Sequence, residues 1–186
     1  MAKIRPIPTV TIMALAGAVL FGGWHLYETK MVEQPLAEAI QEHKLAKQVQ
    51  VDLQQKSVVV KLEAKPEANV RELVQAAYKE ADKRAKGRSI RVEMINEQST
   101  PRLEQIWSKA IFGVAEAMVH QKYSDIPKQL TALTQQTTVN VETEMDERFV
   151  YVTLKDGKGI KTVLLPLQGE KMGVWPNEQA KLVTLD

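Results

Sequence analysis

The densest group of potential catalytic or metal-binding side chains is Glu142, Glu144, Asp146 and Glu147. Glu142 and Glu144 are two apart, so on a strand they share a face, with the other two acids in the turn that follows. Hard cations require several such oxygens, but the run lacks the glycine-and-acid spacing of a calcium loop. A carboxylate pair for glycoside hydrolysis would have to flank a cleft, and nothing in the sequence supplies one. The reading is therefore a solvated strand face. Ser57, Ser89, Ser99, Ser108 and Ser124 fall in neither a Gly-x-Ser-x-Gly elbow nor a Ser-x-x-Lys motif. His43 and His120 belong to different expected helices and have no His or Glu at metal-ligand spacing. With no cysteine in the 186 residues, thiolate metal sites, cysteine nucleophiles and disulfides are excluded. No glycine-rich phosphate loop is present. No catalytic, cofactor-binding or metal-binding residue is assigned, and a non-enzymatic protein is expected.

Two further groups suggest binding. Lys83, Arg84, Lys86, Arg88 and Arg91 crowd the end of one expected helix and the strand after it. Such a cluster could meet lipid headgroups, a wall polymer or another anionic surface. It also complements the negative end of a helix dipole, which is the plainer account. Phe112 and Val119 are seven apart on the helix expected over 101–121, off its main apolar stripe. A helix that is apolar on two sides must be covered on both. The C-terminal sheet is the expected cover, a partner subunit the alternative, and the neighbouring Gly113 would permit close approach.

The elements that position these groups follow from periodicity. Pro35 suits the first turn of a polar helix to about Lys47. Val49, Val51 and Leu53, then Val58, Val60 and Leu62, alternate as a hairpin with one buried face. Pro66 is expected to open a helix to about Lys86, stopped by Gly87, with a strand over Ser89–Ile95. Thr100-Pro101 reads as a cap and first turn. The stripe Leu103, Ile106, Trp107, Ala110, Ile111, Val114 and Met118 follows. A short helix from Asp125 precedes strands at about 138–145, 148–155 and 159–167, with Asp156-Gly157 as the last turn. A final edge strand at 182–185 is compatible with the tail. The alternating valines of 49–62 resemble those of 139–154, either as an internal repeat or as the ordinary pattern of any two valine hairpins.

The N-terminus differs sharply from the rest. No Asp, Glu, Lys or Arg occurs between Arg5 and Glu28, and residues 7–27 reach the roughly 20 positions a membrane-crossing helix needs. Trp24 and Tyr27 stand at one end, Lys3 and Arg5 at the other. A cleaved signal would need a small-x-small site after the apolar run, and LFGGWHLYETK has none. Ala14, Ala18 and Gly22 fall at four-residue spacing, a pattern by which membrane helices pack closely. The positive-inside tendency places the N-terminus in the cytoplasm and the remainder outside. Residues 1–30 hold three of the 25 basic and one of the 23 acidic residues, so the remainder is neutral with 22 of each. That balance excludes a nucleic-acid-coating protein, and no nucleic-acid partner is expected.

The expected fold class is α+β: a transmembrane helix followed by an exported domain of two small helix-on-sheet units. The boundaries are 1–6 cytoplasmic, 7–27 transmembrane, 28–33 linker, 34–96 first unit, 97–167 second unit and 168–186 tail. The order helix, strand, strand, helix, strand over residues 34–95 resembles the ring-building-motif domains of bacterial secretion and sporulation assemblies. That resemblance implies a non-catalytic module of the cell envelope that stacks side by side. Its second half departs from the pattern, with two consecutive helices and then three strands. The function expected is a single-pass, membrane-anchored scaffold or accessory subunit. Its partners would be the bilayer and envelope proteins, with self-association included. The alternatives are an anchored binder of anionic lipid or wall polymer through the basic cluster, or an anchored hydrolase.

Overall fold

The computed structural model describes residues 16, 17, 19, 20, 22, 23 and 29–167. From Gln34 onward the elements are α1 (Gln34–Gln41), β1 (Ala46–Leu53), β2 (Ser57–Ala64), α2 (Val70–Asp82), β3 (Ser89–Met94), α3 (Pro101–Val119), α4 (Asp125–Thr134), β4 (Asn140–Met145), β5 (Phe149–Asp156) and β6 (Gly159–Pro166). A π-helical turn at Thr29–Glu33 runs directly into α1.

The expected membrane span over 7–27 is corrected, and with it the single-pass placement and the membrane part of the fold class. Among the described residues no helix is long and apolar enough to cross a membrane. Much of 7–27, including Ala14 and Ala18, lies outside the described residues, as does the tail strand expected at 182–185. Val19 and Leu20 are helical and 71% and 72% exposed, and Gly22 is helical and exposed. The longest helix among the described residues, α3, has 19 residues but carries Arg102, Glu104, Lys109 and Glu116, and its apolar stripe fills the protein core. An apolar run in sequence states composition, whereas a span requires one continuous apolar helix. What stands is an α+β fold with two three-stranded sheets.

Several helix ends differ from expectation for local reasons. The first helix stops at Gln41, not near Lys47, because Lys44 adopts a left-handed conformation (φ 60°) and Ala46 already pairs with Ala64. The second begins at Val70, not Pro66. The Asn69 side chain accepts the Glu72 backbone N–H as a cap, while Pro66 lies in a turn closed by Ala68 N–H to Lys65 O. It ends at Asp82, and Lys86 and Gly87, both at positive φ, reverse the chain into β3. The Thr100 cap and Pro101 start form as expected, with Thr100 Oγ1 accepting the Leu103 N–H.

In the first sheet, ordered β1-β2-β3, β1 and β2 are antiparallel and β2 and β3 are parallel, joined through α2. In the second, β4-β5-β6 is wholly antiparallel. The hairpins that look alike in sequence also differ in register. Val51 pairs with Val60, but Val141 pairs with Leu154, a shift of one full side-chain repeat: both turns leave four residues between their last pairs, Leu53↔Val58 and Met145↔Val150, so the two extra residues of the second hairpin lengthen its strands and not its turn. The first core joins α1 and α2 to the inner faces of β1–β3, and extends to Phe149 and Tyr151 of β5. The second joins α3 and α4 to Val150, Val152 and Leu154 of β5 and to Val163 and Leu165 of β6. Because successive strand residues point to opposite faces, β5 is buried on both sides, one against each helix layer.

Candidate functional site

The acidic cluster separates into two parts. Asp146 ties the β4–β5 turn to α2. It accepts hydrogen bonds from Tyr151 Oη at 2.6 Å, Gln75 Nε2 at 3.0 Å, and the backbone N–H groups of Arg148 and Phe149 at 2.8 and 3.0 Å. Burial by itself would raise its carboxyl, but these four donors outweigh it and hold the pKa at about 2. Burial, then the hydrogen bond to Asp146, then the charge of Asp146, raise the Tyr151 phenol well above its ordinary value. The Arg148 guanidinium lies 4.6 Å from the Tyr78 ring centroid, and Tyr78 in turn stacks on Phe149. These contacts lock the two units together.

Glu142 and Glu144 do share a strand face, opposite Thr153 and Tyr151 of β5. Lys155 stands 2.7 Å from Glu142 and Arg71 3.5 Å from Glu144, which also accepts from Asn69 Nδ2 at 3.1 Å. Glu144 thus sits at the N-terminus of α2, where a carboxylate complements the helix dipole. With Asn69, Val70, Tyr151 and Thr153, the two glutamates line a groove of about 370 Å³. Among the described residues no group of three or more His, Cys, Asp or Glu is arranged to hold a metal. His43 and His120 are exposed and lie on separate parts of the fold.

The basic residues do not converge on one surface. Lys83 Nζ lies 2.6 Å and Arg84 Nη1 2.9 Å from Glu80, which lowers the Glu80 carboxyl through the Lys83 bond first and the Arg84 bond second. Lys86 and Arg88 occupy the turn to β3. Arg91 alternates with the inward Ile90 and Val92, so it projects from the face of the first sheet opposite α2. The sheet separates Arg91 from the Lys83–Arg84 pair.

The α3 face is the clearest surface feature. Phe112 is 79% and Val119 69% exposed, so the C-terminal sheet does not cover them as expected. The sheet meets the opposite stripe of α3, and two stripes about 180° apart cannot both face one layer. Gly113 faces α4 instead: a Cβ there would collide with the Gln129 side chain. Met31 and Met145 are further exposed apolar residues, at 63% and 50%.

Three polar positions that sequence reading did not single out hold the units in place. Lys161 is 2% exposed, and its ammonium lies 2.8 and 2.9 Å from the two Glu104 oxygens. Burial raises the Glu104 carboxyl, but the bonds from Lys161 and Ser99 outweigh it and lower its pKa. The Asn96 amide accepts the Thr162 N–H at 2.7 Å and donates to the Thr162 carbonyl at 3.0 Å, imitating a strand partner. Ile160 N–H donates to Gln98 O at 3.0 Å along the same edge. Glu63, 3% exposed, takes Lys47 at 2.9 Å and Gln98 at 2.8 Å on one oxygen, while its Oε2 has no partner. The one sequence signal for Lys161 is a lone cation inside the apolar run of β6. Comparisons of the chain with protein-family models, with curated proteins and with solved structures find no match in any of the three.

Proposed function

We propose that this protein is a non-catalytic contact module that acts by docking a protein partner on the outer face of α3. The observation that carries the reading is Phe112, a large aromatic side chain that is 79% exposed on a helix whose other face fills the core. Buried aromatics are the usual anchors of protein interfaces, and leaving one in water forgoes on the order of 2 kcal/mol of burial. Val119 lies two helical turns along the same face, and Lys109 and Glu116 border the pair with charges of both signs. That is an apolar centre with a polar rim. The order helix, strand, strand, helix, strand of residues 34–94, which resembles ring-building-motif domains, also supports a contact role. The carboxylates with shifted pKa values, Glu80, Glu104, Asp125 and Asp146, are engaged in ion pairs and hydrogen bonds within the fold, which favours this reading over a hydrolase. The Glu80 pairing of Lys83 and Arg84 favours it over an anionic-surface binder.

The test is photo-crosslinking from position 116, on the rim of the same face, in cells that make the protein, with the captured partner identified and then titrated against purified protein. Phe112→Glu and Val119→Glu should abolish capture while leaving the unfolding midpoint unchanged, because both positions are solvent-facing. Capture that persists in both variants refutes the α3 face as the docking surface.

A further inference from the structure

Each sheet has two edges, and the outer backbone groups of the four are engaged to different extents. The edges of β3 and β6 face each other across residues 96–98, where Asn96 and Gln98 take the outward groups of Thr162 and Ile160. The outer edge of β1 meets the turn at Thr29–Glu33, whose Glu33 carboxylate accepts the Leu53 N–H at 3.3 Å. The edge of β4 is set apart by its charge. It is the terminal strand of the order β4-β5-β6, and among the described residues no backbone group bonds to its outer side. Exposed edges are templates for strand addition.

The chemistry of this edge specifies what would pair with it. From Asn140 to Glu147 the chain carries four carboxylates and no cation. The cations that meet Glu142 and Glu144 come from β5 and α2, on the inner side. Glu142 remains 46% exposed, and the groove of about 370 Å³ opens along the face it shares with Glu144. On the other face Met145 is 50% exposed, and the buried Thr143 hydroxyl has no hydrogen-bond partner. Two β4 edges paired with each other would bring like carboxylates together, which disfavours a second copy.

We infer that the β4 edge receives an extended segment of a partner protein in which basic residues alternate with apolar ones. Its backbone completes a fourth strand, its basic side chains enter the groove beside Glu142 and Glu144, and its apolar side chains lie toward Met145. This surface is separate from the α3 face, so either assignment can fail alone.

The probe is a short synthetic peptide alternating lysine with valine, titrated onto the full chain by fluorescence anisotropy. The expected result is saturable binding that weakens about tenfold or more in Glu142→Lys. Binding should also be lost when alternate peptide amides are N-methylated, because methylation removes the strand donors and keeps the charge. Because the chain has no cysteine, Met145→Cys offers a unique trap, and a peptide whose single cysteine is carried as a mixed disulfide with a small thiol should exchange with it, releasing that thiol. Lack of binding, or equal binding of the methylated peptide, overturns strand addition. A Met145→Cys homodimer that the peptide does not displace assigns the edge to a second copy and likewise overturns the proposal.

Discussion

The two sheets use the same alternating hairpin, yet one is half-exposed and the other sits inside the molecule. The middle strands make the contrast plain. Lys61 of β2 stands between the exposed Gln50 and Glu93 and is half-buried, although Val59 and Glu63 on the same face are buried. Thr153 holds the matching place in β5 and is 4% exposed, because that face meets the first unit. Identical local patterns therefore carry different loads, and the second sheet binds the two units into one body. The long-range polar contacts Asn69–Glu144, Gln75–Asp146 and Asn96–Thr162 all join the first unit, or the segment just after it, to the second sheet.

The largest test of this contrast is Tyr151→Ala against Lys61→Ala. Tyr151 is 1% exposed and belongs to the first core although it lies on the second sheet. Its loss should destabilise by about 4 kcal/mol in urea unfolding, and Lys61→Ala by less than about 0.5 kcal/mol. The transition should remain single, whereas a biphasic curve would show two independent units.

Glu104→Gln should come next, at about 3 kcal/mol, because it leaves the buried Lys161 ammonium without its partner. The double variant with Lys161→Met should recover most of that loss, and a double-mutant cycle measures it. A double-variant loss equal to the sum of the two single-variant losses would show that the pair contributes no coupling.

Asn96→Ala removes the side chain that substitutes for a strand at β6, and should cost about 2 kcal/mol. Amide exchange at Thr162 should rise with it. An unchanged Thr162 exchange rate would show that the edge is held by the backbone of 96–98 alone.

The smallest effect is a pH dependence. The Asp146 pKa is depressed to about 2 in the folded protein. Its contribution is present above the ordinary carboxylate value near 4 and is lost as pH falls toward 2. The carboxylate is partly exposed, so the full shift overstates the energy, and about 1 kcal/mol is expected. Asp146→Asn should be less stable than the parent at neutral pH and converge with it near pH 2, read from unfolding midpoints across that window.

Much of this fold was legible in the sequence. The Thr100-Pro101 start, the stripe from Leu103 to Met118 and the strand alternations are local signals, each set by a few adjacent residues. Helix starts decided by competition were harder: Pro66 looked like an opener, but Asn69 holds the cap. The candidate surfaces were only partly legible. Phe112 and Val119 could be placed off the main stripe, but which stripe would be covered depends on where the sheet lies. Arg91 joined the basic cluster in sequence and left it once strand alternation turned it to the opposite face. The apolar run at 7–27 met the length a span requires, but among the described residues no helix is long and apolar enough to cross a membrane.

The sequence by itself determined the element order, the hairpin faces, the absence of thiol chemistry and the place of Phe112 off the main apolar stripe of its helix. Those features depend on periodicity and residue type, which act within a few residues. Only the tertiary structure decided that β5 is buried on both faces, that Lys161 finds Glu104, that Asn96 completes the edge of β6 and that β4 stays open. Each of these joins positions far apart in the chain, where burial and hydrogen bonding depend on packing and not on neighbours in sequence.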